Sequence, residues 1–173
     1  MKEVVNYKKT NAYIDIGYLL KNYLNTNTII VCIGTDKFIG DCLGPLVGTF
    51  LKDMNFPLPV YGTVEYPIHA LNIKDRIKNI YDLHPNANII GIDACLGEES
   101  SIGDIHIRNS PIHPGKGVGK SLPEVGDYSI VGIIDCIDDA AIFTSKSIRL
   151  HFIMEMAKVI SSSIIYSYNL INT

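Results

Sequence analysis

The stretch Thr28 to Phe50 constrains the fold more than any other part of this chain. It opens on Ile29-Ile30-Val31-Cys32-Ile33, a short, mostly β-branched apolar run stopped by Gly34. A run of that length, apolar on both faces, predicts a buried strand of a parallel sheet. Thr35, Asp36 and Lys37 form a polar loop that ends at Gly40-Asp41. A helix follows, with Pro45 in its first turn and Leu43, Val47, Phe50, Leu51 and Met54 at helical spacing. Asp41 therefore lies on a strand-to-helix loop at the carboxyl end of a strand, the edge where open α/β sheets bind ligands.

The rest of the chain alternates in the same way. Periodicity predicts a helix over Ile14 to Leu24, a strand over Val60 to Val64, a helix over Ala70 to Tyr81 and a strand over Ala87 to Asp93. Gly103 to Arg108 alternates polar and apolar residues and reads as a half-exposed strand, antiparallel at a sheet edge. A Gly-rich loop runs from Pro111 to Gly126, Ser129 to Asp135 is the last buried strand, and a helix from about Ser145 to Ile164 closes the chain. Alternating strands and helices imply an α/β sandwich with a mostly parallel sheet. No repeat or linker divides residues 1–173, so a single α/β domain is expected.

Bulk properties narrow the function. Net charge is −3 with no basic block, which argues against direct nucleic-acid binding. No apolar run reaches a membrane span, and the N-terminus lacks the apolar core of a signal peptide. A soluble, cytoplasmic protein is the expectation. Cys32, Cys42, Cys95 and Cys136 are dispersed, without a CxxC pair, so neither a zinc knuckle nor a disulfide scaffold is indicated.

If the strands ending at Ile33, Ile92 and Ile134 run parallel, Asp41, Asp93 and Asp135 emerge at one edge. Two carboxylates sharing a water-poor cleft raise each other's pKa. The one that stays charged can act as a base on water while its protonated partner donates to a leaving group. The helix dipole favours the charged role for Asp41 and leaves the shared proton to Asp93. The competing reading of Asp41 is a helix N-cap, and Asp138 and Asp139 read as turn or cap residues. A second loop, His113-Pro114-Gly115-Lys116-Gly117-Val118-Gly119-Lys120, carries a histidine and alternate glycines. It ends in GKS, but Pro114 replaces the first glycine of a P-loop and Pro123 interrupts the required helix, so a nucleotide site is rejected. Asp41, Asp93 and His113 are the residues a metal would use, although no compact ligand spacing supports one. Cys42 and Cys95 sit among apolar neighbours and read as core residues rather than nucleophiles.

Taken together, IGTDKFIGDCLGPLVG, IIGIDACLG and IHPGKGVGK resemble the sporulation protein YyaC family of spore proteases. The same blocks, in the same order, are similar to the core of the bacterial germination protease, which degrades the small acid-soluble proteins coating spore DNA. The resemblance implies a phosphorylase/hydrolase-like fold, shared with hydrogenase-maturation endopeptidases: three layers around a mixed five-stranded sheet. Asp41 of DCLGP and Asp93 of IDACLG match two aspartates essential in the germination protease, and His113 of HPG matches a further block. In the hydrogenase-maturation enzymes an acidic residue at the first block, an Asp at the second and a downstream His bind nickel. Asp135 departs from the pattern, standing where a neutral residue is expected, and the chain is shorter, without a long prosegment. The resemblance thus implies a sporulation-associated endopeptidase with Asp41 and Asp93 as catalytic dyad and Asp36, His113, Gly115, Gly117, Gly119 and Asp135 as supporting or substrate-binding residues. No cofactor and no metal are expected. The expected partner is a protein substrate, small acid-soluble spore proteins foremost, in the forespore or spore core, with homo-oligomerisation left open. The alternatives are a non-catalytic sporulation regulator or adaptor and a metal-binding maturation-type peptidase.

Overall fold

A computed structural model describes residues 2–115, 122–136 and 148–172. The strands are β1 (Lys2–Asn6), β2 (Thr28–Cys32), β3 (Val60–Tyr61), β4 (Asn88–Gly97), β5 (Asp104–Arg108) and β6 (Tyr128–Cys136). The helices are α1 (Ala12–Leu20), α2 (Leu43–Asp53), α3 (Ile73–Leu83) and α4 (Leu150–Ile171). The strands form one sheet in the order β1-β5-β6-β4-β2-β3. β6, β4, β2 and β3 are mutually parallel, and β5 is antiparallel to both β6 and β1.

The helices follow from the order of the strands. The β2-to-β3 crossover moves one way along the sheet, and the β3-to-β4 crossover moves back past β2. Right-handed crossovers therefore place α2 and α3 on opposite faces. On one face Leu43, Val47 and Leu51 of α2 join α1 and α4 over Ile30, Cys32, Ile90, Ile92 and Ile130. On the other, Ile73, Ile77 and Ile80 of α3 pack over Ile29, Val31, Ile33 and Ile89. Each isoleucine or leucine fully buried in these layers contributes about 1.5–3 kcal/mol. The result is a three-layer α/β/α sandwich with a mixed, mostly parallel sheet.

Several boundaries differ from the sequence-based expectation. Among the described residues the sheet has six strands, not five, because Lys2–Asn6 pairs along the whole of β5. Only Val5 of this strand is buried, which leaves no alternation to read. β5 is antiparallel as expected but lies inside the sheet, and Ile105, His106 and Ile107 are all buried. β3 stops at Tyr61 because the chain then turns toward α2, where the Val64 N–H donates to the Thr49 hydroxyl at 3.0 Å. α1 begins at Ala12, after Asn11 in the left-handed region, and ends at Leu20 rather than Leu24. α3 starts only at Ile73, because Asn72 holds a preceding turn: its Oδ1 accepts from the His69 N–H and its Nδ2 donates to the Pro67 carbonyl. α4 continues past Ile164 to Ile171, with the Ser161 and Ser163 hydroxyls turned back onto helix carbonyls. The expected start of that helix near Ser145 lies outside the described residues, as do Asp138 and Asp139.

Candidate active site

β2 and β4 pair in register as far as Cys32 and Ile92, and the Ile33 N–H then donates to the Ile92 carbonyl at 2.8 Å. Beyond that point the strands part. β4 continues to Gly97 beside β6 alone, with a register shift between Cys95 and Leu96. The chain leaving β2 goes to one side of the sheet, through α2 to β3, and the chain leaving β4 goes to the other, to β5 and β6. That divergence opens a crevice at the carboxyl ends of β2 and β4. Asp93 is the first β4 residue past the end of the β2 pairing.

Asp41 reaches the same crevice on a tightly closed loop. The Gly34 N–H donates to the Ile68 carbonyl at 2.8 Å, the Thr35 N–H to the Asp41 carbonyl at 2.9 Å, and the Asp41 N–H to the Phe38 carbonyl at 3.0 Å. Gly34 has φ +137°, and a Cβ there would run into the Asp41 carbonyl oxygen; only glycine lets β2 turn so sharply beneath Asp41. Asp41 then lies in a 3₁₀ turn, Ile39–Cys42, ahead of α2. The N-cap of α2 is Cys42, with no side-chain capping bond, so the Asp41 carboxyl is not spent as a cap.

The electrostatics separate the two carboxyls. Burial pushes Asp41 up to about 6, with a backbone hydrogen bond from Thr35 acting in the opposite sense. Burial raises Asp93 well above the carboxylate range, the nearby Asp41 charge adds to the rise, and the Ala94 N–H, 2.9 Å from its Oδ1, opposes it. At neutral pH this favours an ionised Asp41 beside a protonated Asp93. Such a pair can accept a proton from water on one side and donate one on the other.

The residues expected from the sequence to support this pair lie at varied places around it. Asp36 is exposed on the loop after β2, and its charge, after burial and together with Asp41, raises the Cys42 thiol. Asp135 sits at the same edge one strand over, opposite Leu96, and its Oδ1 accepts from the Cys136 N–H at 2.9 Å. His113 follows Ile112, whose side chain packs against Gly91, two residues before Asp93. Its Nδ1 lies 3.1 Å from Glu124. Gly115 has φ +79°; Gly117 and Gly119 lie outside the described residues. Among the described residues no three His, Cys, Asp or Glu side chains come together as a metal site. The set Asp41, Asp93 and His113 is therefore not assembled as metal ligands among the described residues.

Cys95 corrects a sequence expectation. It is exposed, because β4 overshoots β2 and leaves this position uncovered. Its thiol is nevertheless raised, by desolvation of the sulfur and then by Asp93, with Arg108 acting in the opposite sense, which disfavours a thiolate nucleophile. Two further residues on the strands beside Asp93 were not singled out from the sequence. Strand register places His106 in one row with Val131 and Asp93, and the Arg108 Nη2 lies 3.1 Å from the His106 Nδ1. Their signal was the polar side of the Asp104–Arg108 alternation, which resembles any solvent-facing strand until the strand order is known.

Among the described residues no helix is long and apolar enough to cross a membrane. The chain is 46% identical over 169 residues to the "Uncharacterized protein YyaC" of Bacillus subtilis (strain 168), covering 95% of this chain and 82% of that protein. The crystal structure of a NiFe hydrogenase maturation protease, HycI from Thermococcus kodakarensis KOD1, is similar with a TM-score of 0.47 and 17% identity, covering 85% of this chain and 99% of that one. The sequence model described as "Protein of unknown function (DUF1256)" matches residues 4–163, and with the YyaC relationship this makes the chain a member of that family.

Proposed function

We propose that this protein is an endopeptidase that uses Asp41 and Asp93 to hydrolyse a peptide bond of a spore protein in the cytoplasm of a sporulating cell or spore. The observation that carries the reading is the pairing of two buried carboxyls at the β2/β4 divergence, Asp41 raised to about 6 by burial and Asp93 raised well above the carboxylate range by burial first and by the Asp41 charge second. Ionised Asp41 takes a proton from the attacking water, and protonated Asp93 donates to the departing amide nitrogen. The carbon–nitrogen bond breaks as the carbon–oxygen bond forms, and the two protons end on Asp41 and the released amine. Small acid-soluble spore proteins are the leading substrates, through the resemblance of the three sequence blocks to the germination protease.

A protein substrate also suits the rim of the crevice. Phe38 and Ile39 on the loop after β2, and Tyr66 on the loop after β3, are exposed apolar side chains at this edge, the kind of surface that receives an extended chain. The test is incubation with purified small acid-soluble spore proteins, read by mass spectrometry. Discrete internal cleavage that disappears in Asp41→Asn and Asp93→Asn is expected. Intact substrates with the wild-type protein, or cleavage retained in both variants, would overturn the reading.

A further inference from the structure

On the face of the sheet that carries Asp93, the neighbouring strands present a cation with no ion-pair partner among the described residues. Alternation along β5 puts Asp104, His106 and Arg108 on this face, since Ile105 and Ile107 belong to the core of the other. Cross-strand pairing sets Asp93, Val131 and His106 side by side on β4, β6 and β5. With strands about 4.8 Å apart, His106 stands roughly 10 Å from Asp93 across the sheet. The Arg108 side chain folds along β5 so that its Nη2 meets the His106 Nδ1. His106 is 5% exposed, and burial, followed by the Lys2 and Arg108 charges, lowers it to about 4. Its imidazole is therefore neutral and neither neutralises nor repels the guanidinium.

Nothing else among the described residues balances Arg108. Asp104, the acid on the same strand face, accepts instead from the Asn6 Nδ2 at 2.9 Å. The described ion pairs of the chain, at Lys9, His113 and Lys158, do not involve Arg108. The Arg108 Nε is buried and makes no hydrogen bond. A buried donor on a charged group is costly to leave unmade, so an orphan of this kind calls for a partner that the described residues do not supply. The guanidinium is also close enough to Cys95, two residues beyond Asp93, to oppose the upward push on its thiol.

We propose that Arg108, held against His106, is a carboxylate-binding residue of the substrate site, gripping an acidic group of the peptide beside the Asp41–Asp93 dyad. A guanidinium offers a planar fork that matches a carboxylate. A monoanion suits a site that already contains an ionised Asp41 better than a phosphate dianion does. The carboxylate is either an acidic side chain or a free chain terminus, and both present the same group to the fork. This assignment rests on the peptidase reading for its substrate class, but binding can be measured without turnover.

The experiment titrates the ¹⁵N-labelled full chain with three blocked amino acids of matched size and follows the Arg108 side-chain Nε–Hε resonance. N-acetyl-glutamate amide carries only a side-chain carboxylate, N-acetyl-glutamine only a terminal one, and N-acetyl-glutamine amide neither. At least one carboxylate probe is expected to bind and shift the Arg108 resonance, with the neutral probe binding tenfold or more weakly, as the loss of a charge-assisted bond implies, roughly. The probe that binds identifies the source of the carboxylate. Arg108→Gln is expected to bring the carboxylate probe down to the neutral one, and Arg108→Lys to fall between. Equal response to all three probes, undiminished binding in Arg108→Gln, or a response to inorganic phosphate alone would overturn the proposal. The wild-type comparison stands even if a variant fails to fold. Carboxylate binding without cleavage of any spore protein would sink the peptidase reading and leave this site intact; cleavage indifferent both to acidic residues and to a free carboxyl terminus would do the reverse.

Discussion

Replacing Asp41 by Asn should stabilise the protein at neutral pH while abolishing its activity. In the fold the Asp41 carboxyl is raised from 3.8 to about 6, chiefly by burial, so its ionised form is disfavoured there relative to the unfolded chain. Asp41 therefore weakens the fold as pH rises from about 4 to about 6, with the full cost present above that window and none below it. At about 1.4 kcal/mol per pH unit the rise amounts to about 3 kcal/mol. Solvent at the partly exposed carboxyl reduces this to about 1–2 kcal/mol. Asn keeps the shape without the charge, and no capping bond is lost at α2. Urea denaturation of both proteins at pH 4, 5, 6, 7 and 8 measures the difference. The two curves should nearly coincide at pH 4 and separate by about 1–2 kcal/mol at pH 7 and above, Asn being the more stable. A destabilised Asn variant at pH 7, or a gain independent of pH, would show that burial does not penalise the Asp41 charge and would restore a structural role for Asp41.

Two further outcomes follow from the same geometry. The proposed peptidase activity should rise as Asp41 ionises near pH 6 and fall at higher pH as Asp93 gives up its proton; a flat pH–rate profile between pH 5 and 9 would contradict the proposed dyad. Gly34→Ala, which drives a Cβ toward the Asp41 carbonyl at positive φ, should cost roughly 2 kcal/mol or more in denaturant unfolding, by strain in the loop; unchanged stability would show that the loop is not closed as described.

The strands at Ile29–Ile33, Ala87–Asp93 and Ser129–Asp135 were legible because both faces of each are buried, which leaves an unbroken apolar run. β1 was not, since Lys2 to Asn6 buries only Val5, and the interior position of β5 could not be read without it. Helix starts were hidden wherever a polar side chain organises a turn ahead of the helix, as Asn72 does before α3. Asp41 and Asp93 were readable as candidates because each follows an apolar strand, and parallel strands carry such residues to one edge. The Arg108 and His106 environment was illegible for the opposite reason. It depends on the order β5-β6-β4, in which residues far apart in the chain become neighbours across the sheet. The pairing of His113 with Glu124 across its own loop is likewise invisible in the linear pattern.

The proposed chemistry requires Asp41 and Asp93 to form one electrostatically coupled pair. Side-chain carboxyl ¹³C NMR across pH 3 to 10, on the wild type and on Asp41→Asn, measures this directly. Two raised apparent pKa values are expected in the wild type, the lower near 6, with a clear fall of the Asp93 value when Asp41 is replaced. Two independent titrations near 4, or an Asp93 value unmoved by Asp41→Asn, would contradict it.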